Sequence, residues 1–228
     1  MLTKRDHDIF ELMSKFGGKT FVPVLGKTFF ASDQQARNRL NRLKKDKLIR
    51  YVTTGLMSPR NAIYMTEKGK RYIGEIGLNT VTTEISTVTI NHFMLEQIAY
   101  YYLKQIGKKV ERTAVIKWRE KHHHTPDLMY FHENDKMIYV EIERTHKRAD
   151  KLVQIQLNME KDNIHKVLYI FENEKKMEQI GKKIPVYNKA LYVTVDTLIQ
   201  SSQNGKIGAI SQTEFYSKLD KKRKNNEK

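Results

Sequence analysis

Cysteine is absent from this sequence. A disulfide framework and a metal site with thiolate ligands are therefore both excluded. Long apolar runs are also missing, since no stretch approaches the roughly 20 residues that a membrane-spanning helix needs. The first residues lack the apolar segment of a secretory signal peptide. These absences predict a cytoplasmic protein with no role in a membrane.

Acidic residues are scarce relative to basic ones. The 228 residues include 26 Asp+Glu against 42 Lys+Arg, which gives a formal net charge of +16 and a pI near 9.7. Such an imbalance indicates a polyanionic partner and favours nucleic acid. Hydrophobic residues make up 39% of the chain and aromatic residues 10%, which is enough for packed cores. The length allows one large domain or two small ones.

The N-terminal third has the pattern of three helices followed by two short strands. Thr3 is placed to cap the first helix, and Ser32 or Asp33 to cap a third helix that runs to about Lys45. Two apolar segments on either side of a polar, basic turn then predict a β-ribbon. The order predicts a winged helix-turn-helix domain over residues 1–76, in which the third helix enters the major groove and the wing lies along phosphate.

Polar and basic side chains lie on the faces of this third helix that its apolar residues leave exposed. We predict that these side chains contact double-stranded DNA, together with one arginine of the wing. The candidates are Gln35, Arg37, Asn38, Asn41, Arg42 and Lys45 of the helix and Arg60 of the wing. Two alternatives stay open: the charges form a solvated helix face, or the domain docks onto another protein.

The rest of the chain predicts a mixed α/β (α+β) domain. Residues 77–90 contain many Thr and Ser and predict a linker, while residues 91–216 follow the order α-β-β-β-α-β and continue as α-β. Strands are expected at about 109–117, 126–131, 137–142, 167–171 and 190–195, and helices from Asn91 and over about 148–160. Residues 217–228 are basic with few apolar side chains, which predicts a disordered tail.

Three carboxylates fall on the two strands that form the predicted hairpin. Asp127 opens one strand, and Glu141 and Glu143 share a face of the next because side chains alternate along a strand. Hard oxygen ligands on neighbouring strands are what Mg²⁺ or Mn²⁺ requires, and such an ion stabilises charge on a phosphate that is being cleaved. The alternative is that the two glutamates pair with nearby basic residues, namely Arg144, Lys147 and Arg148.

This arrangement resembles the PD-(D/E)xK nucleases, whose restriction-endonuclease-like sheet has the same order of elements and places metal-binding acids at the hairpin. The resemblance implies catalytic roles for Asp127, Glu141 and Glu143. It departs at Glu143, which stands where that superfamily usually has its catalytic lysine. Some members take the cation from the following helix, where Lys151 is the candidate in this sequence.

Several short motifs over residues 2–160 together resemble the replication-relaxation family of plasmids and integrative elements. They are Leu2-Thr3-Lys4-Arg5-Asp6, Ala36 to Leu43 with Leu48-Ile49, Tyr64 to Gly69, Asn91-His92, Thr125-Pro126-Asp127 and Glu141 to Thr145. That family is related to the C-class mobilisation relaxases. The resemblance implies binding at a replication or transfer origin and nicking of one strand, and it implies that His92 or Glu96 completes the metal site of Asp127 and Glu141.

Two runs of identical residues have structural explanations, which we favour over functional ones. His122, His123 and His124 cannot all face one ion from an extended strand, so a polar loop near phosphate is the better interpretation. His124 is the most interesting of them because it is nearest to Asp127. The tyrosines at 100–102 spread over different faces of a helix, so at least one is in the core.

The sequence therefore predicts a DNA-binding protein of a plasmid or mobile element that nicks DNA at an origin with Mg²⁺ or Mn²⁺. The alternative is a non-catalytic transcriptional regulator or relaxosome accessory protein whose nuclease-like domain is degenerate. A homodimer and an assembly with relaxosome proteins are both compatible with this prediction.

Overall fold

The computed structural model describes residues 2–52, 62–78, 90–107, 109–112, 122–131, 136–144, 149–162 and 164–226. The chain divides into two compact units, Met1–Tyr101 (unit 1) and Tyr102–Lys228 (unit 2). This division falls farther along the chain than the predicted linker at 77–90. Both units contain helices and sheet, in agreement with the predicted α/β class.

Unit 1 combines helices with a small antiparallel sheet. Its elements are α1 (Lys4–Lys15), β1 (Lys19–Phe21), α2 (Val22–Thr28), α3 (Asp33–Lys45), β2 (Ile49–Val52), β3 (Ala62–Met65), α4 (Glu67–Glu75) and the first part of α5 (Ile90–Ile106). The strand order is β1-β3-β2. The predicted wing arginine, Arg60, lies outside the residues that the structure describes.

Local sequence signals start two helices of unit 1, α1 and α3, at the expected residues. The Thr3 hydroxyl accepts a hydrogen bond from the backbone N–H of Asp6 and forms a capping box with it. The Ser32 hydroxyl accepts from Gln35 N, which makes Ser32 rather than Asp33 the cap of α3. Such caps satisfy donors that the first turn of a helix leaves without a partner.

The first part of α5 packs on the rest of unit 1 through aromatic rings and one buried polar contact. Phe16 meets Phe93 and Tyr100 edge to face, with ring centroids 5.5 and 5.4 Å apart. The Thr20 hydroxyl donates to Oε1 of Gln97 over 2.7 Å in the interior. Tyr100 is buried, as expected for at least one member of the tyrosine run.

Unit 2 is built on a six-stranded mixed sheet. After the last turn of α5 its elements are β4 (Lys109–Arg112), β5 (Leu128–Phe131), β6 (Met137–Glu143), α6 (Ala149–Lys161), β7 (Lys166–Phe171), α7 (Glu174–Gly181), β8 (Ala190–Thr194), α8 (Val195–Ser202), β9 (Ile210–Ser211) and α9 (Gln212–Asn226). The strand order is β4-β5-β6-β7-β8-β9. β4, β5 and β6 are antiparallel neighbours, whereas β6, β7 and β8 run parallel.

One face of this sheet forms an aromatic core beneath the helices. Tyr169 and Tyr192 are register partners on β7 and β8, Tyr139 of β6 belongs to the same cluster, and Phe215 of α9 is buried in it. Helix α9 runs through residues 217–226, for which the sequence predicted disorder. The prediction missed Phe215 and Leu219, four residues apart, which place one face of α9 on this core.

Within the described ranges, no helix is long and apolar enough to cross a membrane. Helix α5 is the longest, with 17 residues, and it includes charged and polar side chains. A bilayer-spanning helix needs about 20 predominantly apolar residues.

Candidate functional site

The structure brings Asp127 next to the carboxylates of β6. Leu128 lies opposite Val140, so Asp127, one residue earlier, faces the segment around Glu141. Oδ2 of Asp127 accepts a hydrogen bond from the backbone N–H of Ile142 over 2.7 Å. Glu141 and Glu143 share the face of β6 that carries Tyr139, and they are only 5% and 2% exposed. The carboxylates of Glu141 and Glu143 therefore lie in the interior of unit 2.

Glu141 has a histidine partner, His124, in the segment before β5. Nε2 of His124 lies 2.7 Å from Oε1 of Glu141, and the exposed fractions of the two side chains are 11% and 6%. When Glu141 is ionised its carboxylate can only accept, and Nε2 of His124 is then the donor of this hydrogen bond. The contact satisfies two polar groups that would otherwise be costly to bury.

Asp162 holds the histidine run in place. Its Oδ1 accepts from the backbone N–H of His123 over 2.7 Å, and its Oδ2 accepts from that of His124 over 3.0 Å. The Tyr139 hydroxyl donates to the same carboxylate over 3.1 Å. Asp162 thus fixes the backbone from which the His124 ring reaches Glu141, and His123 itself is exposed. Sequence analysis missed Asp162 because it lies 38 residues from His124.

The glutamates also affect a buried tyrosine on the neighbouring strand. Glu141 lies opposite Tyr169 in the parallel register of β6 and β7. Burial raises the pKa of the Tyr169 phenol well above its ordinary value, and the negative charges of Glu141 and Glu143 raise it further. Tyr169 is therefore a neutral phenol in the core.

Two other predicted members of the acid site lie on helices. Lys151 is exposed on α6, and Glu96 is buried on the part of α5 that belongs to unit 1. Nε of Arg144 lies 3.9 Å from Glu172, while Lys147 and Arg148 fall outside the described residues. In the ranges given above, no group of three or more His, Cys, Asp or Glu side chains is arranged to hold a metal ion.

Helix α3 separates a buried face from an exposed polar one. Ala36, Leu40 and Leu43 are fully buried. The exposed side chains are Gln34, Gln35, Arg37, Asn38, Asn41, Arg42, Lys44 and Lys45, which include all six helix residues predicted to contact DNA. The one acidic residue of α3, Asp33, lies in its first turn. The remainder of the exposed face is therefore uniformly neutral or positive.

A buried ion pair fixes α3 against α1. Nε of Arg39 donates to Oδ1 of Asp6 over 2.7 Å, and Nη2 bonds to Oδ2. Burial alone would raise the pKa of Asp6, but hydrogen bonds from Arg39 and Thr3 outweigh it and lower the pKa below its ordinary value. The pair orients the exposed face of α3, and sequence analysis missed it because 33 residues separate the partners.

No protein-family model matches this chain, and no curated protein matches it significantly. The resemblance to the replication-relaxation family therefore stays a prediction from the motifs quoted above. The residues of α3 predicted to contact DNA share its exposed face, and the predicted acids are Asp127, directly before β5, and Glu141 and Glu143 on β6.

Proposed function

We propose that the protein binds double-stranded DNA through the exposed face of α3. The observation that supports this function is the charge of that face. Arg37, Arg42, Lys44 and Lys45 project from it, and no carboxylate follows Asp33 within the helix. A basic helix on a chain of net charge +16 attracts phosphate over a long range.

The order of elements in unit 1 supports a winged-helix interpretation. Helices α2 and α3 are consecutive, and the antiparallel strands β2 and β3 follow directly. In helix-turn-helix proteins the second helix of such a pair enters the major groove, and a β-ribbon after it reaches the backbone. The Asp6–Arg39 pair would hold α3 rigid as it enters the groove.

The neutral side chains of the same face suit base recognition. Amide side chains pair with adenine in the major groove, and arginine pairs with guanine. Gln35, Asn38 and Asn41 are exposed beside Arg37 and Arg42. We propose, on the strength of the family resemblance, that the recognised site is a replication or transfer origin of a plasmid or mobile element.

A second candidate function is metal-dependent nicking of the bound DNA. The observation that favours it is the antiparallel β5–β6 pair followed through α6 by parallel β7, the strand order of PD-(D/E)xK nucleases. Asp127, directly before β5, and Glu141 of β6 are near each other there, and carboxylates are the ligands that Mg²⁺ and Mn²⁺ prefer. They would hold the ion, which supplies charge stabilisation at a phosphate, and Lys151 would supply the cation that Glu143 does not.

The non-catalytic alternative also has a specific observation in its favour. Glu141 is already bonded to His124 and is almost fully buried. The bond to His124 is a sufficient reason for a carboxylate at this buried position, without a role in metal binding. Under this alternative the protein is a transcriptional regulator or a relaxosome accessory protein in which unit 2 has no catalytic role. DNA binding by α3 is unaffected.

The DNA-binding proposal is tested by an anisotropy titration of fluorescent duplex DNA over a series of salt concentrations. Replacing Arg37 and Arg42 with Ala should weaken binding and reduce the slope of log K against log salt by up to about 2, because each lost phosphate contact removes about 0.9. The matched control replaces Lys136 and Lys206, two exposed lysines of unit 2. Equal affinities and slopes for the two variants would refute the assignment of α3.

Nicking is tested on supercoiled plasmid that carries candidate origins, with and without Mg²⁺ or Mn²⁺. Asp127→Asn should abolish nicking and leave DNA binding intact, since removing a negative charge reduces repulsion of phosphate. Glu141→Gln should behave in the same way. Absence of ion-dependent cleavage in the wild type, with both variants merely unfolding earlier, would support the non-catalytic alternative.

A further inference from the structure

The C-terminal half of α9 has a basic exposed face beyond its contact with the core. Phe215 is buried, and Tyr216 and Leu219 pack on the core of unit 2. From that point the helix continues to Asn226 with one further acidic residue, Asp220. Three lysines at intervals of three residues are exposed along it, and we call them the lysine ridge: Lys218, Lys221 and Lys224.

Contacts at both ends of the core-bound segment fix the direction of this helix. Glu214 accepts from the backbone N–H of Ser211 over 2.7 Å and from its hydroxyl over 2.8 Å, at the start of α9. Farther along, Nζ of Lys222 lies 2.5 Å from Oε1 of Glu178 on α7. The lysine ridge therefore projects from a helix that is anchored before it and beside it.

We propose that the lysine ridge binds the phosphate backbone of double-stranded DNA as a second contact, in addition to α3. This inference rests on the proposed DNA-binding function. Residues three apart on a helix are neighbours, and Lys218 and Lys224 are separated by about 9 Å along an axis that rises 1.5 Å per residue. Each strand of duplex DNA presents one negative charge per about 3.4 Å of helix axis, so a ridge about 9 Å long spans two to three phosphates of one strand.

The surroundings of the ridge favour duplex DNA over other anionic partners. A helix that lies on a membrane needs an apolar face to insert, but the apolar side chains of α9, Phe215 and Leu219, pack on the protein core. Binding of single strands relies on exposed aromatic rings for stacking, whereas the two aromatic residues of α9 pack on the core, Phe215 fully buried and Tyr216 partly buried. Lysine is a flexible point charge that binds phosphate without reading sequence.

The test compares two triple variants with the same change of charge. One replaces the ridge, K218Q/K221Q/K224Q, and the control replaces three exposed lysines elsewhere in unit 2, K136Q/K161Q/K206Q. Full-length proteins are titrated with random-sequence duplex DNA over a salt series. The ridge variant should lose about 2 to 3 units of salt slope and more than about tenfold in affinity at 0.1 M salt, whereas the control changes by a small fraction of this.

The outcomes distinguish a failure of this inference from a failure of the proposed function. Equal loss in the ridge and control variants overturns the inference. If R37A/R42A loses affinity in the same experiment, the proposal that α3 binds DNA still stands. If R37A/R42A and the ridge variant both match the wild type, the proposed function fails as well. Tighter binding of the wild type to double-stranded RNA or to phosphatidylserine vesicles, lost only in the ridge variant, overturns the choice of DNA. Circular dichroism checks that α9 keeps its helix.

Discussion

His124 and Glu141 form a nearly buried pair in which Nε2 and Oε1 are 2.7 Å apart. The two residues come from different segments, one before β5 and one in β6. A carboxylate buried in a sheet requires a partner, because an unpaired charge in the interior is unfavourable by several kcal/mol. The pair therefore contributes to stability whether or not the carboxylates also serve catalysis.

His124→Ala should lower the free energy of unfolding by about 1 to 3 kcal/mol, since it leaves Glu141 without this donor. Adding Glu141→Gln should cost less in this variant than in the wild type, with a coupling energy of about 0.5 to 3 kcal/mol. Urea unfolding of the two single variants and the double variant measures this coupling. His123→Ala is the control, because its side chain is exposed and its backbone bond to Asp162 is retained. Strictly additive effects would contradict the pairing.

Asp162 should act as a positioning residue for His124. Asp162→Ala removes the acceptor of two backbone N–H groups and of the Tyr139 hydroxyl. We expect a loss of about 1.5 kcal/mol, at the lower end for bonds to a charged group because Asp162 is only partly buried. Asp162→Asn keeps one acceptor oxygen and should lose less. Guanidinium unfolding ranks the three proteins, and an Ala variant as stable as the wild type would contradict the role.

Local sequence patterns were sufficient to predict much of the secondary structure. Thr3 and Ser32 act as helix caps where expected, and the alternation in β6 places Glu141 and Glu143 on one face. Each of these predictions depends on neighbours within one turn or one strand. The mixed α/β class followed from the order of such local patterns.

Long-range pairs could not be predicted in the same way. Asp6 bonds to Arg39, and Asp162 bonds to the backbone before β5, across separations that leave no periodic pattern in the sequence. Helix α9 was missed for another reason. Its basic composition outweighed the two apolar residues, Phe215 and Leu219, that pack it on the core.

The Asp6–Arg39 pair should make stability sensitive to acid. The pKa of Asp6 lies below its ordinary value of 3.8 because hydrogen bonds from Arg39 and Thr3 outweigh the effect of burial. A group whose pKa is lowered by folding stabilises the protein above its unfolded pKa, and that contribution is lost as the pH falls through the folded value. Unfolding temperatures measured from pH 7 to pH 2 should therefore fall less steeply below about pH 4 in Asp6→Asn than in the wild type.

Arg39→Ala is the companion variant for this prediction. It leaves a fully buried carboxylate without its arginine, which should cost about 3 kcal/mol at neutral pH. The acid-induced loss should also begin at a higher pH, because Asp6 then loses the hydrogen bond that most strongly lowers its pKa. Identical acid profiles for the wild type and both variants would contradict the assigned role of Asp6.

Helix α4 contains two glycines for which the same substitution should have opposite effects. A Cβ at Gly69 would lie 2.3 Å from the carbonyl oxygen of Leu48, which accepts a hydrogen bond from Thr66 N and is part of the backbone. A Cβ at Gly74 would meet nothing within 4 Å. Alanine is favoured over glycine within a helix by about 1 kcal/mol, so the surroundings decide the sign of each change.

Gly74→Ala should therefore raise the free energy of unfolding by about 0.5 kcal/mol, below the full helix preference because the residue is in the last turn. Gly69→Ala should lower it by about 1 to 3 kcal/mol, since α4 must move away from the backbone before β2 to make room. Urea unfolding of the two single variants tests both signs on one helix. A Gly69→Ala protein that is as stable as Gly74→Ala would mean that α4 does not approach Leu48 as closely as described.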